Sequence, residues 1–155
     1  MERMIAAYLR FVNQLSKLKN FPLLLLRLVL AYGFFGPAKM KWKDIDSIAE
    51  WFGSMGIPAP SLSAYLAAGT EAAGVVMLAL GIGTRLISIP LIITMLVAIK
   101  TVHWTNGFEA GDNGFEIPLY YITMLITLLI FGAGNWSIDH FIDRKCRDKC
   151  GIKKH

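Results

Sequence analysis

The apolar residues of this chain fall into four long runs that short polar segments separate. Each run approaches the roughly 20 residues that an α-helix needs to cross about 30 Å of hydrocarbon. The pattern therefore predicts an all-α, polytopic membrane protein, folded as one domain around a four-transmembrane-helix bundle. The four predicted spans cover about residues 21–38, 62–80, 86–103 and 115–131.

Two shorter segments have helical periodicity but are too short or too charged to span. Near the N-terminus, Ile5, Tyr8, Leu9, Val12 and Leu15 recur at helical spacing among basic residues. This pattern predicts an amphipathic helix that lies in the lipid headgroup region. Between the first two spans, a second apolar face predicts a short helix on the membrane surface, with Asp44 placed to cap it. Its members are Ile45, Ile48, Ala49 and Phe52.

Composition supports a lipid environment. The chain is 55% hydrophobic and 17% charged, whereas soluble domains carry about 25% charged residues. A soluble four-helix bundle would need a polar stripe on every helix, and most of these segments have none. The net charge of +5 does not indicate nucleic-acid binding, because the basic residues flank the apolar runs.

The distribution of Lys and Arg predicts the orientation. Four spans would place both termini and the turn at 81–85 on one side, which then holds eleven of the 16 basic residues. The opposite side holds four, and Arg27 lies within the first span. By the positive-inside rule, both termini, including a basic tail at 137–155, are expected in the cytoplasm.

Two charged residues interrupt the predicted spans, Arg27 in the first and Glu71 in the second. An unpaired charge at the bilayer centre costs roughly 2.5–3.5 kcal/mol even on the most lenient scale. We therefore expect Arg27 and Glu71 to face the bundle and to form a buried ion pair. Such a pair either takes part in chemistry or only fixes the register of the helices, and the sequence leaves both open.

The fourth span carries a polar stripe, Glu116, Tyr120, Thr123 and Thr127, at helical spacing. The stripe predicts either a polar lining that descends from the outer surface or hydrogen bonds between helices. Lys100, His103 and Trp104 end the third span on the same side and are expected to converge on Glu116. Histidine exchanges protons near neutral pH, although an interfacial histidine can equally be an anchor.

These patterns yield two sets of candidate site residues. The candidate catalytic residues are His103, Glu116, Glu71 and Arg27. The candidate substrate-binding residues are Trp104, Tyr120, Lys100 and Thr123. No metal site is expected, because His103 and Glu116 supply two ligands where a closed site needs four.

The two cysteines, Cys146 and Cys150, lie in the basic tail. We expect two free thiols in the reducing cytoplasm; binding of a soft metal by this C-x-x-x-C spacing is the alternative. A thiol relay that forms disulfides is disfavoured, because it needs cysteines on the oxidising side of the membrane.

Five segments together resemble the DoxX family of small bacterial membrane proteins, over about residues 20–142. They are LLLLRLVLAYGFFGPAKMKW (23–42), AEWFGSMGIPAP (49–60), the second span with Glu71, GIGTRL (81–86), and TVHWTNGF (101–108) followed by Glu116. The resemblance implies a four-helix bundle in the bacterial inner (plasma) membrane. Within the family the chain looks most like members found beside genes for small, modified metal-binding peptides.

The resemblance implies two functions. Some members are linked to thiosulfate oxidation with quinone as acceptor, or to a membrane oxidoreductase complex with superoxide dismutase and a sulfurtransferase. They suggest a redox-linked, quinone-associated accessory subunit, with quinone the cofactor expected. Other relatives suggest a non-catalytic assembly factor or chaperone, here for maturation of a metal-binding peptide. Both imply a membrane or periplasmic protein partner besides the bilayer, and a homo-oligomer stays open. A transporter would need several copies to line a path.

Overall fold

A computed structural model describes residues 1–150, without the side chains of Glu2, Lys17 and residues 147–150. Within that part of the chain every regular element is helical, which confirms the all-α prediction. The end of the basic tail and the thiol of Cys150 lie outside the described residues. The α-helices are α1 (Glu2–Lys17), α2 (Asn20–Lys43), α3 (Ile45–Ser54), α4 (Pro60–Leu80), α5 (Thr84–Ala98), α6 (Glu116–Phe131) and α7 (Ile138–Cys150).

Helices α2, α4, α5 and α6 form an antiparallel bundle around one apolar core. Arg85 at the start of α5 donates a hydrogen bond of 3.1 Å to the carbonyl of Ile130 at the end of α6. The side chain of Asn20 accepts a 3.1 Å hydrogen bond from the backbone N–H of Asn135. The start of α2 and the end of α6 therefore lie at the same end of the bundle, which we call the proximal end. The core contains Leu30, Phe34, Leu78, Leu91, Leu125 and Leu128.

Three helical segments are long and apolar enough to cross a membrane. They are α2 with 24 residues, α4 with 21, and the continuous segment Thr84–Asn106 with 23. Helix α6 has 16 residues, slightly below the usual minimum of about 17 for a spanning helix. It packs beside α5 as the fourth member of the bundle, so the count of four spans stays a prediction.

Helix α2 continues past Ala38, the predicted end of the first span, to Lys43. Pro37 lies inside the helix and cannot donate to the carbonyl of Gly33. Inside a bundle, neighbouring helices allow a transmembrane helix to continue past such a proline. The extra turn is fixed by Trp42, whose indole N–H donates a 3.2 Å hydrogen bond to the carbonyl of Ala68 in α4.

The predicted cap of the short helix α3 is confirmed. The Asp44 carboxylate accepts from the backbone N–H of Ser47 at 3.2 Å and from its hydroxyl at 2.7 Å. These bonds favour the charged form and hold the pKa of Asp44 below its usual range. Helix α3 packs against α4, so it adds to the wall of the bundle.

Helix α1 is also confirmed as a helix, and its apolar face is uncovered. The side chains of Ile5, Tyr8, Leu9, Val12 and Leu15 are between 38% and 65% exposed. Its predicted place among lipid headgroups stays a prediction. Helix α7 occupies most of the predicted basic tail and begins directly beside the proximal end of the bundle.

Candidate functional site

A large cavity opens between the helices at the end of the bundle opposite to residues 20 and 135. Its volume is about 1200 Å³, and we call it the distal cavity. Its wall is mainly apolar, with a few hydroxyl, amide and ionisable side chains among the Ala, Ile, Met, Phe and Pro residues that line it. Those lining residues that can titrate are Lys41, Glu71, Lys100, His103 and Tyr121.

A buried ion pair forms part of the cavity wall. The Lys41 ammonium lies 2.9 Å from Oε1 and 2.8 Å from Oε2 of Glu71, and the two side chains are 12% and 3% exposed. Helical side chains lean toward the N-terminus of their helix, so Lys41 reaches from the end of α2 back into the bundle. The predicted ion pair between Arg27 and Glu71 is wrong, because Lys41 takes the place expected for Arg27.

Arg27 lies at the proximal end instead, 1% exposed. Its Nε donates to the carbonyl of Leu78 at 2.8 Å, and one Nη donates to the carbonyl of Ala79 at 3.1 Å. The other Nη donates to the carbonyls of Ala133 and Trp136, both at 2.8 Å. The carbonyls in the last turn of α4 have no partner within the helix. Arg27 therefore caps α4 and ties it to the segment after α6.

Asp139 completes this region, which we call the proximal cluster (Arg27, Gly81, Gly83 and Asp139). Its carboxylate accepts the backbone N–H of Gly83 at 2.7 Å and of Thr84 at 3.1 Å. These are free N–H groups at the start of α5, so Asp139 caps that helix from outside. The N–H groups that a catalytic Arg27 would use to bind a substrate thus donate to main-chain carbonyls instead. Arg27 does not line the distal cavity.

Lys100 and His103 line the distal cavity from a π-helical turn, Ile99–His103, that continues α5. Such wide turns occur often at functional sites. Nδ1 of His103 lies 2.7 Å from the carbonyl oxygen of Asn113. Because a carbonyl can only accept, Nδ1 carries the proton, and Nε2 of a neutral His103 is an acceptor. Nε2 has no partner within the described residues.

The polar stripe on α6 does not line the cavity, so that prediction is wrong. Glu116 accepts from the Tyr120 hydroxyl at 2.7 Å and from the backbone N–H of Ala110 at 3.0 Å. The Thr123 hydroxyl donates to the carbonyl of Leu119, one turn back in its own helix. Thr127 does the same toward Thr123. The alternative, hydrogen bonding between helices, is therefore also absent from these residues.

The eight predicted site residues thus divide into two groups. Glu71, Lys100 and His103 meet at the distal cavity, whereas Arg27, Glu116, Trp104, Tyr120 and Thr123 lie outside its lining. Trp104 is 67% exposed and stacks on Phe115, with ring centroids 5.8 Å apart. No ion pair joins Glu116 to Lys100 or His103 within the described residues, and their convergence stays a prediction.

Two of the titratable residues that line the cavity were not predicted as site residues, Lys41 and Tyr121. Lys41 lies 14 residues after Arg27 on the stripe of α2 that also holds Leu30 and Phe34. Continuing this 3.5-residue periodicity beyond Ala38 would have found it. Tyr121 faces the interior beside Ile122, one position away from the predicted Tyr120.

Comparison with known proteins gives one family and few relatives. The family model described as DoxX matches residues 22–104, more than half of the chain. An uncharacterized protein of Haemophilus influenzae is 32% identical over 84% of this chain and 89% of its own length. The Bacillus subtilis protein named "Putative oxidoreductase CatD" is 31% identical over 77% of this chain and 85% of its own length. No solved structure matches the chain.

Proposed function

Since this chain belongs to the DoxX family of membrane proteins, we propose that it is a redox-linked subunit that binds a lipophilic quinone in the distal cavity. The observation that carries the proposal is the Lys41–Glu71 ion pair, buried in the wall of an otherwise apolar space of about 1200 Å³. The name of the Bacillus subtilis relative adds support for redox chemistry. The predicted resemblance to the family is confirmed over residues 22–104.

The donor and acceptor groups of the cavity fit a quinone ring. Small-molecule sites are mostly apolar, with a few polar groups that fix orientation, and typically measure about 300–1,000 Å³. The distal cavity is large enough for an aromatic ring and the first part of an apolar tail. Lys41 uses two N–H groups on Glu71, which leaves a third to donate to a ring oxygen.

The same residues can hold and move protons. A bound quinone accepts two electrons together with two protons, and in this proposal a partner oxidoreductase delivers the electrons. The Lys41–Glu71 pair keeps a transferable proton on the ammonium nitrogen next to a carboxylate. His103 lines the same space with a free Nε2, so it can exchange a proton between the cavity and the polar loop at 104–115. Lys100 adds positive charge near the mouth.

We further propose that the protein resides in the bacterial inner membrane with both termini in the cytoplasm. The hydrogen bond between Asn20 and Asn135 supports a common side for the start of α2 and the end of α6. The basic residues supply the direction, by the positive-inside rule. Alkaline phosphatase and green fluorescent protein fusions test it: fluorescence at both ends is expected, and phosphatase activity at either end would contradict it.

Binding of a decyl-substituted benzoquinone to the purified protein in lipid nanodiscs tests the quinone site. Trp51 lines the cavity, so saturable quenching of tryptophan fluorescence reports occupancy. We expect Glu71→Gln, which keeps the side-chain shape, to weaken binding about tenfold, because a charged group beside the ring is lost. The matched control is Thr123→Val, since Thr123 lies outside the lining, and its affinity is expected to equal that of the wild type.

The absence of saturable quenching in the wild type would overturn the quinone proposal. If, in addition, Glu71→Gln still co-purified with the same membrane or periplasmic partner as the wild type, the non-catalytic assembly factor or chaperone would be the better account. Loss of partner capture in that variant would argue against the chaperone as well.

A further inference from the structure

The hydroxyl of Tyr121 is one of the polar groups of the distal cavity that have no hydrogen-bond partner among the described residues. The side chain lines the cavity, and its oxygen makes no hydrogen bond to any described residue. Two other hydroxyls of the lining differ, since those of Thr94 and Thr101 each donate to a carbonyl one turn back, at 2.9 and 2.8 Å. A phenol in an apolar wall loses free energy if its O–H finds no acceptor. An acceptor supplied by a ligand removes that cost.

The position of the hydroxyl is defined by α2. The Tyr121 ring packs edge-on against Phe34, with centroids 5.3 Å apart and planes at 70°. Its hydroxyl end lies against Gly33, where a Cβ atom would overlap the oxygen and lie 2.6 Å from Cζ. The Tyr121 hydroxyl therefore occupies the space that is open because Gly33 has no side chain. Because both contacts come from one helix face, the O–H is held in place before any ligand arrives.

The cavity offers free donors together with an excess of positive charge. Tyr121 contributes an O–H and Lys41 its third N–H, while each oxygen of Glu71 already accepts one hydrogen bond from Lys41 and Nε2 of His103 is a further acceptor. The lining holds Lys41 and Lys100 against the single carboxylate of Glu71. The resulting positive potential favours a ligand whose polar atoms accept hydrogen bonds.

From this arrangement, and resting on the proposed quinone site, we infer that Tyr121 is its specificity-determining residue. Its hydroxyl donates to one ring carbonyl while Lys41 donates to another. The cavity therefore binds the oxidised, carbonyl-bearing ring more tightly than the reduced, dihydroxy ring, whose O–H groups need acceptors.

Three probes test the inference in nanodiscs: decyl-substituted benzoquinone, the same compound reduced under anaerobic conditions, and decylbenzene, which has no oxygen. The wild type is expected to bind the oxidised ring about fivefold more tightly than the reduced ring, and decylbenzene least. Tyr121→Phe keeps the ring contact with Phe34 and removes the O–H. It is expected to weaken binding of the oxidised ring about fivefold, the value of one neutral hydrogen bond, and to leave decylbenzene unchanged.

Gly33→Ala offers a second route, because the new methyl group displaces the hydroxyl without removing it. It is expected to match Tyr121→Phe, and the double variant should bind no more weakly than either single one. Gly36→Ala is the control, since nothing lies within 4 Å of a Cβ atom there, and it should bind as the wild type does.

The outcomes separate the two proposals. If the wild type binds none of the three probes, the quinone site itself fails. If the wild type binds the oxidised ring but Tyr121→Phe binds it equally well, only the role of Tyr121 is overturned. Equal affinity of the wild type for the oxidised and reduced rings would overturn the predicted preference.

Discussion

The bundle buries charge at both ends, and it does so in opposite ways. At the proximal cluster, four of the five N–H groups of Arg27 donate to main-chain carbonyls, and the side chain is packed against Gly81. At the distal cavity, Lys41 and Glu71 bond to each other beside an open space. A guanidinium that donates nearly all its N–H groups to the backbone is a structural element, whereas an ion pair with a spare donor next to a cavity can act on a ligand.

The proximal cluster therefore stabilises the fold, whereas the distal cavity is the end that can bind a ligand. The proximal cluster joins the start of α2 with the ends of α4 and α6, and with the first residues of α5 and α7. At the distal cavity the helices stand apart. Fewer contacts between helices stabilise that end, and more polar groups are free to bind a ligand. Variants at the two ends should therefore affect different measurements.

The largest loss of stability is expected for Arg27→Met. The change leaves four carbonyl groups without their charged donor and removes the tie between α4 and the segment after α6. We expect the free energy of unfolding in detergent to fall by about 3–5 kcal/mol, as for a broken buried charge network. Arg27→Lys keeps the charge but not the planar fork of donors, so it should recover only a small part. A variant as stable as the wild type would contradict a structural role for Arg27.

A smaller loss is expected for Lys41→Met. It leaves the Glu71 carboxylate buried without a partner, which should cost about 2–4 kcal/mol, less than at Arg27 because two hydrogen bonds are lost instead of four. The paired variant Lys41→Met with Glu71→Leu should regain most of this stability while its quinone affinity stays low. Thermal unfolding and quinone titration of the same samples measure both. Recovery of affinity in the paired variant would show that the ion pair plays no part in binding.

Gly81→Ala and Gly56→Ala form a matched pair of nearly equal backbone strain. Both glycines have positive φ, 69° and 73°, where an alanine costs about 1–2 kcal/mol. A Cβ on Gly81 would also lie 2.6 Å from Ser137 Cβ and 2.7 Å from Arg27 Cζ, whereas Gly56 has no atom within 4 Å. We expect Gly81→Ala to lose about 1–2 kcal/mol more than Gly56→Ala. Equal losses would argue that the proximal cluster is loosely packed.

The smallest effect is expected for Thr123→Val on the polar stripe of α6. Its hydroxyl bonds only to the carbonyl of Leu119 in its own helix, so the change should alter stability by no more than about 0.5 kcal/mol. The unfolding transition and the quinone affinity should both stay at wild-type values. A loss of affinity comparable to that of Glu71→Gln would place the ligand on α6 and contradict the distal cavity.

The errors of the sequence predictions have definite physical origins. The first span was predicted to end at Ala38, yet helix α2 continues to Lys43 and brings Lys41 inside. In a membrane protein both the core face and the lipid face of a helix are apolar, so hydrophobicity does not tell which side of α6 faces inward. The polar stripe was therefore assigned to the interior, while Pro118, Ile122 and Leu125 form the true inner face.

The sequence by itself determined that this chain is an all-helical membrane protein of the DoxX family, and that Arg27 and Glu71 must be buried. Long apolar runs and rare internal charges carry that information, because a continuous apolar segment in lipid satisfies its backbone hydrogen bonds within itself as a helix. Only the tertiary structure decided which groups meet. Arg27 donates to the carbonyls at the end of α4, Glu71 pairs with Lys41, and Tyr121 rather than Tyr120 lines the cavity. These contacts depend on how each helix is rotated and on where it ends. A shift of one residue in either can turn a different side chain toward the cavity.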